Sequence, residues 1–339
     1  MTNVAINGLG RIGRATMKII LEDSRFNLVA VNDILSTANL AYLLKYDTVY
    51  GRWGKSVTAG DKELRIGGGS LPVLGERDPG RLPWRALGAD LVFECTGLFS
   101  RREDLRKHIA AGARFVILSA PAKDEDIPTV VHGANASTGR IEIISCASCT
   151  TNCITPVVEV VGRRIGIRKA TMTTIHAYTS TQAIVDAGAG DFRRGRAAAA
   201  NLVPASTGAA IATTRALPEY KGKFNGAAVR VPLPVGSLAD IVLLTQRETS
   251  VSEVNSVFNE EAASERYKHI LGVSDEPIVS SDVIGQSYAS IVDLTMTQVV
   301  DGDLVKIMSW YDNEWGYASQ MVREAAALAR GPGIETNVS

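Results

Sequence analysis

The chain has 339 residues, of which 45% are hydrophobic, and its 36 basic and 36 acidic side chains give a formal net charge of +0. This length suits two domains with separate cores, and the balanced charge argues against nucleic acid as a main partner. No apolar run is long enough for a membrane span and the four cysteines are too few for a disulfide framework, so we expect a cytoplasmic protein with no membrane partner.

The first predicted strand, residues 4–6, runs into a glycine-rich turn that opens a helix. Gly8, Gly10 and Gly13 form a Gly-x-Gly-x-x-Gly pattern, and Asp33 ends the next apolar strand. Such glycines permit a tight turn and close approach of a pyrophosphate, and an acid at this distance binds the adenosine ribose. The sequence therefore predicts a dinucleotide-binding domain.

Short apolar strands continue through the first half of the chain, at residues 91–95, 115–118 and 141–144. They alternate with helical stretches, which predicts parallel βαβ units with helices on both faces of the sheet. The expected fold of this half is a Rossmann-type, doubly wound α/β domain.

Cys149 lies between the predicted strand 141–144 and a helical apolar face. The unpaired N–H groups and the dipole at a helix start are expected to lower the pKa of its thiol, and the thiolate is the reactive form. Polar neighbours such as Ser148 and Thr150 disfavour a simple packing role. Pro156 predicts a kink or a ragged start in this helix. The sequence favours a nucleophile at Cys149.

Two other interpretations of Cys149 stay open. It could be a small buried hydrophobic residue, or it could bind a metal or an iron–sulfur cluster together with Cys146 and Cys153. Cys95 lies in an apolar strand, and four-cysteine sites usually come as paired motifs. We therefore expect no metal site.

The second half of the chain has longer strands rich in β-branched residues. These are residues 171–176, 227–232, 238–248, 291–300 and 304–311. Several alternate apolar with polar residues, which is typical of antiparallel strands with one covered face. They predict an α+β catalytic domain with a mainly antiparallel or mixed sheet.

Residues 178–201 contain three arginines and no periodicity, which is typical of a functional loop. Residues 315–329 return to a helical pattern that ends near Gly331. The predicted domains are residues 1–148 with 314–339 for the dinucleotide, and residues 149–313 for catalysis.

His176 ends the predicted strand 171–176, and beside a reactive thiol it could act as general base and acid. The other histidines have simpler explanations: His108 on a charged helix surface, and His132 and His269 in polar surroundings.

A thiolate, a dinucleotide and a histidine together suit aldehyde oxidation. The thiolate adds to the aldehyde, the hemithioacetal loses a hydride, and an acceptor attacks the thioester that remains. Arginines, hydroxyls and a glycine backbone supply two phosphate-sized sites. The candidates are Ser148, Thr150, Thr179, Arg193, Arg194, Arg196, Ser206, Thr207, Gly208 and Arg230.

Over nearly its whole length the chain resembles the phosphorylating glyceraldehyde-3-phosphate dehydrogenase family. The matching segments are residues 7–14, 76–79, 147–153, 176–179, 204–210, 229–232 and 312–317. The resemblance implies oxidation of D-glyceraldehyde 3-phosphate with inorganic phosphate to 1,3-bisphosphoglycerate, in glycolysis or gluconeogenesis. It also implies a homotetramer in which the loop 178–201 lies near a neighbour's cofactor.

The resemblance assigns roles to individual residues. Cys149 is the nucleophile and His176 its base and proton donor. The attacking phosphate is bound by Ser148, Thr150, Arg194, Thr207 and Gly208, and the substrate phosphate by Thr179 and Arg230. The cofactor is contacted by Arg11, Ile12, Asp33, Arg77, Ser119, Asn313 and Tyr317.

Three departures from the family pattern bear on substrate, redox state and cofactor. Thr181 stands where an aspartate is usual, and Cys146 replaces a common asparagine, so that either a disulfide with Cys149 or ordinary packing is open. Ala187 and Gly188 leave room for the 2′-phosphate of NADP.

Asp33 would repel that phosphate by roughly 3 kcal/mol per unit charge at about 6 Å and an effective dielectric of about 20. We expect NAD as cofactor, with NADP tolerated. An erythrose-4-phosphate dehydrogenase and a non-catalytic NAD-binding regulator remain as alternatives.

Overall fold

A computed structural model describes residues 1–136 and 141–330. The chain divides into two compact units: Met1–Val130 and Ala136–Ala147 with the chain from Met321 onwards, and Val131–Asn135 with Ser148–Gln320. The predicted domain limits, 1–148 with 314–339 and 149–313, stay a prediction, and residues 331–339 lie outside the described part of the chain.

The first unit contains ten strands. They are β1 (Thr2–Asn7), β2 (Phe26–Asn32), β3 (Tyr46–Asp47), β4 (Gly51–Arg52), β5 (Val57–Ala59), β6 (Glu63–Ile66), β7 (Gly69–Leu74), β8 (Leu91–Glu94), β9 (Phe115–Leu118) and β10 (Ile143–Ser145). Eight of them form one sheet in the order β10-β9-β8-β1-β2-β7-β6-β5, and β3 pairs with β4. The pairs from β10 to β7 are parallel, whereas β5, β6 and β7 are antiparallel.

The register aligns the carboxyl ends of three neighbouring strands of this sheet. Asn7 at the end of β1 pairs with Asn32 on β2 and with Glu94 on β8. Helices α1 (Arg11–Ile20), α2 (Thr37–Lys45) and α3 (Arg102–Ala110) belong to this unit. Ligands bind at the carboxyl edge of such sheets, so the three aligned ends are the place for the predicted dinucleotide.

The second unit is built on a seven-stranded mixed sheet in the order β12-β13-β11-β14-β17-β16-β15. Its strands are β11 (Ile167–Ala177), β12 (Val203–Ser206), β13 (Phe224–Val231), β14 (Ser237–Thr245), β15 (Leu271–Ser274), β16 (Ser290–Val300) and β17 (Leu304–Tyr311). Its helices are α4 (Cys149–Arg164), α5 (Ala209–Ala216) and α6 (Val251–Ala263). Helix α7 (Trp315–Ala329) contains the unit boundary at Met321.

Alternation along β14 decides which side of this sheet is core. Ala239, Ile241 and Leu243 are buried in one cluster with residues of α4 and α6. The intervening residues, such as Val242 and Leu244, are only partly buried. One face of the sheet is therefore covered by helices, and the other is left with apolar side chains that those helices do not cover.

The predicted fold class is confirmed: a doubly wound parallel sheet and a second, mixed sheet. Residues 304–311 form a strand as predicted, and 178–201 contain no helix or strand. The predicted ragged helix start is wrong, because α4 runs without interruption from Cys149 through Pro156 to Arg164, and the alternative of a kink at Pro156 stays a prediction. The predicted helix end near Gly331 lies outside the described residues. No helix in the described part of the chain has the length and apolarity to cross a membrane.

Candidate active site

The N-terminus of α4 fixes the position of Cys149. Ser148 is the N-cap, with extended backbone angles, and its hydroxyl accepts a hydrogen bond from the N–H of Thr151. Cys149 is the first helical residue, and its side chain is only partly buried. The thiol therefore stands at the helix start, as the sequence predicted, and is accessible from solvent.

His176 lies within hydrogen-bond reach of this thiol. The distance from Cys149 Sγ to His176 Nε2 is 3.4 Å, and His176 Nδ1 lies 2.6 Å from the carbonyl oxygen of Ala177. With its proton on Nδ1 the ring donates to this carbonyl, and Nε2 can then accept the thiol proton. The structure thus brings together the two residues predicted to perform the chemistry.

The predicted lowering of the Cys149 pKa is wrong in sign. Burial raises the pKa of this thiol to about 11, and the nearby Arg230 and the N–H of Thr150 lower it by less. Burial, with a smaller contribution from Arg230, lowers the pKa of His176 to about 3. Both shifts favour the neutral thiol and the neutral imidazole, and Nε2 is the nitrogen placed to accept the thiol proton.

Arg230 lies beside His176 on the neighbouring parallel strand β13. Its Nη1 is 2.6 Å from His176 Nδ1 and donates to the Ala177 carbonyl oxygen at 3.1 Å. An arginine N–H only donates, so it can bond to Nδ1 when the proton of the imidazole lies on Nε2. Its Nε is buried and has no hydrogen-bond partner among the described residues. A buried guanidinium with an unused donor is suited to an oxyanion ligand.

Thr179, Thr181 and Arg194 form a second cluster on the loop that follows β11. The hydroxyls of Thr179 and Thr181 are 2.9 Å apart, and Arg194 Nη1 donates to Thr181 Oγ1 at 3.1 Å. Arg194 also lowers the pKa of His176, which shows that its charge acts on the catalytic pair. Arg196 instead pairs with Asp186 on an exposed surface.

Thr207 and Gly208 precede helix α5. Thr207 Oγ1 accepts a hydrogen bond from the N–H of Ala209 at 3.2 Å, and Gly208 is the N-cap of α5, with no side-chain cap. A Cβ added at Gly208 would meet nothing within 4 Å. This open helix start is suited to an anion.

Tyr311 is a residue of the site that sequence reasoning missed. Its hydroxyl is 2.9 Å from Thr150 Oγ1 and 2.7 Å from Thr174 Oγ1, and its ring meets His176 edge-on at 6.0 Å between centroids. The only signal in the sequence is a tyrosine at a core-facing position of β17. The Tyr311 hydroxyl links Thr150 in the first turn of α4 to Thr174 on β11.

Asn313 is oriented by hydrogen bonds to its own unit. Its Oδ1 accepts from the N–H of Gly236 at 3.2 Å and from Ser237 Oγ at 3.0 Å, so its Nδ2 is the group that can donate to a ligand. Ser237 was also missed from the sequence. Tyr317 is 3% exposed and lies in the first turn of α7.

The glycine turn of the first unit has the backbone that a dinucleotide requires. Gly8 has a φ of 94°, and an added Cβ would lie 2.7 Å from the backbone nitrogen of Thr96. A Cβ on Gly13 would lie 1.9 Å from the carbonyl oxygen of Gly8, whereas one on Gly10 would meet nothing within 4 Å. Helix α1 starts at Arg11 without a side-chain cap. The residues present fit a pyrophosphate at this helix start.

Asp33 is anchored at both carboxylate oxygens. Oδ2 accepts from the N–H of Leu9 at 2.7 Å and Oδ1 from the N–H of Leu35 at 2.9 Å. The residue lines a cavity of about 530 Å³ together with Ile34 and Gly75. This cavity has the size and the acid expected for an adenosine site.

The remaining predicted cofactor residues also lie in the first unit. Arg11 pairs with Asp47 at 2.6 Å, and Ile12 is half-buried on α1. Arg77 is exposed after β7, and Ser119 follows β9 with its N–H bonded to the carbonyl of Glu94.

The other three cysteines are buried, and none of them forms a disulfide within the described part of the chain. Burial raises the pKa of Cys146 and raises that of Cys153 to about 12, which favours the packing interpretation for both. Among residues 1–136 and 141–330, no group of three or more histidine, cysteine or acidic side chains is placed to hold a metal ion.

The interpretation of His108 as a surface residue is wrong. Its side chain is fully buried in the first unit, between Trp84 and Glu94. The charged residues that flank it in sequence face solvent, because α3 is amphipathic.

Two family models match the chain. Residues 2–102 match the glyceraldehyde 3-phosphate dehydrogenase NAD binding domain, and residues 148–313 match the C-terminal domain of the same enzyme. A glyceraldehyde-3-phosphate dehydrogenase of Streptomyces coelicolor is 47% identical over 94% of this chain and 96% of its own. Glyceraldehyde-3-phosphate dehydrogenase 1 of Bacillus cereus is 46% identical over 97% of this chain and 98% of its own.

Proposed function

The chain belongs to the glyceraldehyde 3-phosphate dehydrogenase family, and on this basis we propose how its own residues perform the reaction. It is an NAD-dependent enzyme that oxidises D-glyceraldehyde 3-phosphate to 1,3-bisphosphoglycerate. The relatives carry the name of the triose phosphate enzyme, and no observation favours an erythrose-4-phosphate dehydrogenase or a non-catalytic regulator.

The observation that carries the residue assignment is the 3.4 Å contact between Cys149 Sγ and His176 Nε2. His176 takes the thiol proton as sulfur adds to the aldehyde carbon and then gives this proton to the former aldehyde oxygen, which forms a hemithioacetal and leaves the imidazole neutral. It then accepts the hydroxyl proton as hydride leaves, which gives a thioester on Cys149. Burial lowers the pKa of His176, so its imidazole is unprotonated in the neutral range.

Bound NAD supplies the hydride acceptor for the second of these steps. Its pyrophosphate would be held at Gly8, Gly10, Gly13 and the start of α1, and its ribose by Asp33. Further contacts are assigned to Arg11, Ile12, Arg77, Ser119 and Tyr317. Asn313 is assigned to the carboxamide because its Nδ2 is the free donor of an otherwise fixed amide.

We assign the substrate phosphate to Arg230 and Thr179. Support comes from the buried Nε of Arg230, which no described residue satisfies. The attacking inorganic phosphate is assigned to Ser148, Thr150, Arg194, Thr207 and Gly208. The uncapped start of α5 supports this, and Thr181 links the two groups through Arg194 and Thr179.

We propose that NAD is preferred and NADP tolerated. Rotating Asp33 away from a 2′-phosphate would break two hydrogen bonds, to the N–H groups of Leu9 and Leu35. Ala187 and Gly188 add no charge that could offset this loss.

We also propose a cytoplasmic homotetramer that works in glycolysis and gluconeogenesis, with the predicted domain limits. The uncovered face of the second unit's sheet supports self-association, because it carries Leu304, which is 39% exposed, and a cavity of about 490 Å³ lined in part by Val242 and Leu244. The loop 178–201 exposes apolar side chains as well, with Phe192 87% exposed.

The direct test is steady-state oxidation of glyceraldehyde 3-phosphate with NAD or NADP, each with and without inorganic phosphate. We expect rapid NAD reduction that requires phosphate for sustained turnover, and a lower kcat/KM with NADP. Phosphate-independent turnover at the same rate would contradict the assigned acceptor. No reduction of either cofactor would contradict the function.

A further inference from the structure

A buried polar chain runs below the carboxyl edge of the first unit's sheet. Trp84 Nε1 donates to His108 Nδ1 at 2.9 Å, and His108 Nε2 lies 3.1 Å from Glu94 Oε2. The same oxygen accepts from Asn7 Nδ2 at 2.5 Å, and Asn7 Oδ1 accepts from Asn32 Nδ2 at 2.7 Å. The exposed fraction of these five side chains is 4% or less.

The indole settles the tautomer of His108. An indole N–H only donates, so Nδ1 of His108 must accept, and its proton lies on Nε2, which donates to Glu94. The neutral imidazole therefore joins a donor on one side to a carboxylate on the other. None of these five residues takes part in the proposed chemistry, so the polar chain either has a structural role or supports binding of the cofactor.

The ends of the polar chain reach the residues assigned to the cofactor. Oε1 of Glu94 accepts from the N–H and the hydroxyl of Thr96, whose backbone packs against Gly8. Asn32 exchanges two hydrogen bonds with the backbone of Glu76, at 2.8 and 2.9 Å, immediately before Arg77. The N–H of Gly8 itself bonds to the carbonyl of Asn32.

We infer that His108 is a positioning residue for the dinucleotide, acting through Glu94, Asn7 and Asn32. This polar chain fixes the ends of β8, β1 and β2 relative to one another. The glycine turn follows β1, Asp33 follows β2 and Arg77 follows β7, so the polar chain holds all three in place. Buried polar networks of this kind fix one geometry when every member is satisfied. The inference rests on the proposed cofactor site.

The test replaces His108 by leucine and by glutamine in the full-length enzyme. Leucine removes both contacts, whereas a glutamine amide can accept from Trp84 and donate to Glu94. We expect His108→Leu to raise the Kd for NAD, measured by calorimetry, by about tenfold, and His108→Gln to stay close to the wild type. The KM for NAD should rise with it, while kcat at saturating NAD and the alkylation rate of Cys149 stay within about twofold.

Leu105→Ala is the matched control, because Leu105 is fully buried on the same helix and packs in an apolar cluster that contains none of the five residues of the polar chain. It should lower the melting temperature at least as much as His108→Leu without changing the Kd. If His108→Leu leaves the Kd unchanged, or if Leu105→Ala raises it equally, His108 is structural and the inference is wrong. If the wild type itself does not bind NAD, the proposed cofactor site fails instead.

Glu94→Gln supplies an independent variant. It keeps the shape of the side chain but places an amide N–H against donors, so we expect a rise in the Kd for NAD at least as large as that of His108→Leu. Combined with His108→Leu it should give less than the product of the two effects, because both act on one chain of hydrogen bonds. Full multiplicativity would show that the two residues act separately.

Discussion

The Cys149 thiol and the His176 imidazole are neutral partners at neutral pH, so proton transfer between them belongs to the reaction itself. Cys149→Ser should abolish oxidation while leaving NAD binding nearly intact, because the hydroxyl is a far weaker nucleophile. Steady-state turnover and calorimetric binding of NAD check this. Retention of more than about a tenth of wild-type turnover would show that another group is the nucleophile.

His176→Asn should lower kcat by roughly 10²–10⁴, the usual effect of a positioned acid–base group. The alkylation rate of Cys149 by iodoacetamide at pH 7 should fall as well, because Nε2 is the acceptor for the thiol proton. Unchanged turnover together with unchanged alkylation would make His176 structural.

Arg230→Ala should damage oxidation of glyceraldehyde 3-phosphate much more than that of unphosphorylated glyceraldehyde, since a buried arginine–phosphate contact disappears. It should also move the pH dependence of Cys149 alkylation upward, because Arg230 is the main group that lowers the pKa of this thiol. Equal losses on both substrates would mean that Arg230 only supports β13.

The sequence singled out Cys149 and His176, which lie 3.4 Å apart in the structure, but it did not predict what sets their pKa values. Cys149 could be singled out because a junction between a strand and a helix is recognisable from the local sequence pattern. The sign of its pKa shift could not be predicted, because it depends on burial, which is a tertiary property. Tyr311 and Ser237 were missed for the same reason, because their partners are distant in sequence. Tyr311 bonds to Thr150 and Thr174, and Ser237 bonds to Asn313.

Among the elements, we expect the turn after β2, which carries Asp33, to determine the choice between NAD and NADP. Asp33→Gly should shift the ratio of kcat/KM towards NADP, because the variant loses the negative charge that repels a 2′-phosphate. The change should lie mainly in the KM for the cofactor, since Asp33 is assigned to the adenosine ribose and not to the reacting groups. Steady-state kinetics with both cofactors check this, and a wild type that strongly prefers NADP would contradict the weight given to the anchored Asp33.

The elements themselves were predicted to different degrees. Strands with continuous or alternating apolar patterns, such as residues 115–118 and 304–311, were found within a residue or two. The antiparallel strands β5, β6 and β7 and the helices α2, α5 and α6 were missed, because their apolar periodicity is weak and tertiary packing stabilises them. Helix α4 tolerates Pro156 because apolar side chains of α4 pack in the core of the second unit, and this packing stabilises the helix.

At the scale of the whole molecule, the uncovered face of the second unit's sheet bears on assembly. Leu244 on β14 pairs with Leu304 on β17, and next to them Lys306 forms an ion pair with Asp240 at 3.0 Å. Apolar side chains on a face of this kind usually mark an interface. A charge placed on this face could disturb assembly or folding, so a test must separate loss of assembly from loss of folding.

Leu304→Asp introduces a charge at a position that is 39% exposed in one chain, so the fold should tolerate it. If this face joins copies of the chain, the mass measured by light scattering should fall below that of the wild type, because the burial of an unpaired carboxylate opposes association. Val251→Asp is the matched control: Val251 is 40% exposed, but it begins α6, which packs on the opposite side of the sheet. A wild-type mass for both variants would place the interface elsewhere, and a monomeric wild type would contradict the proposed assembly.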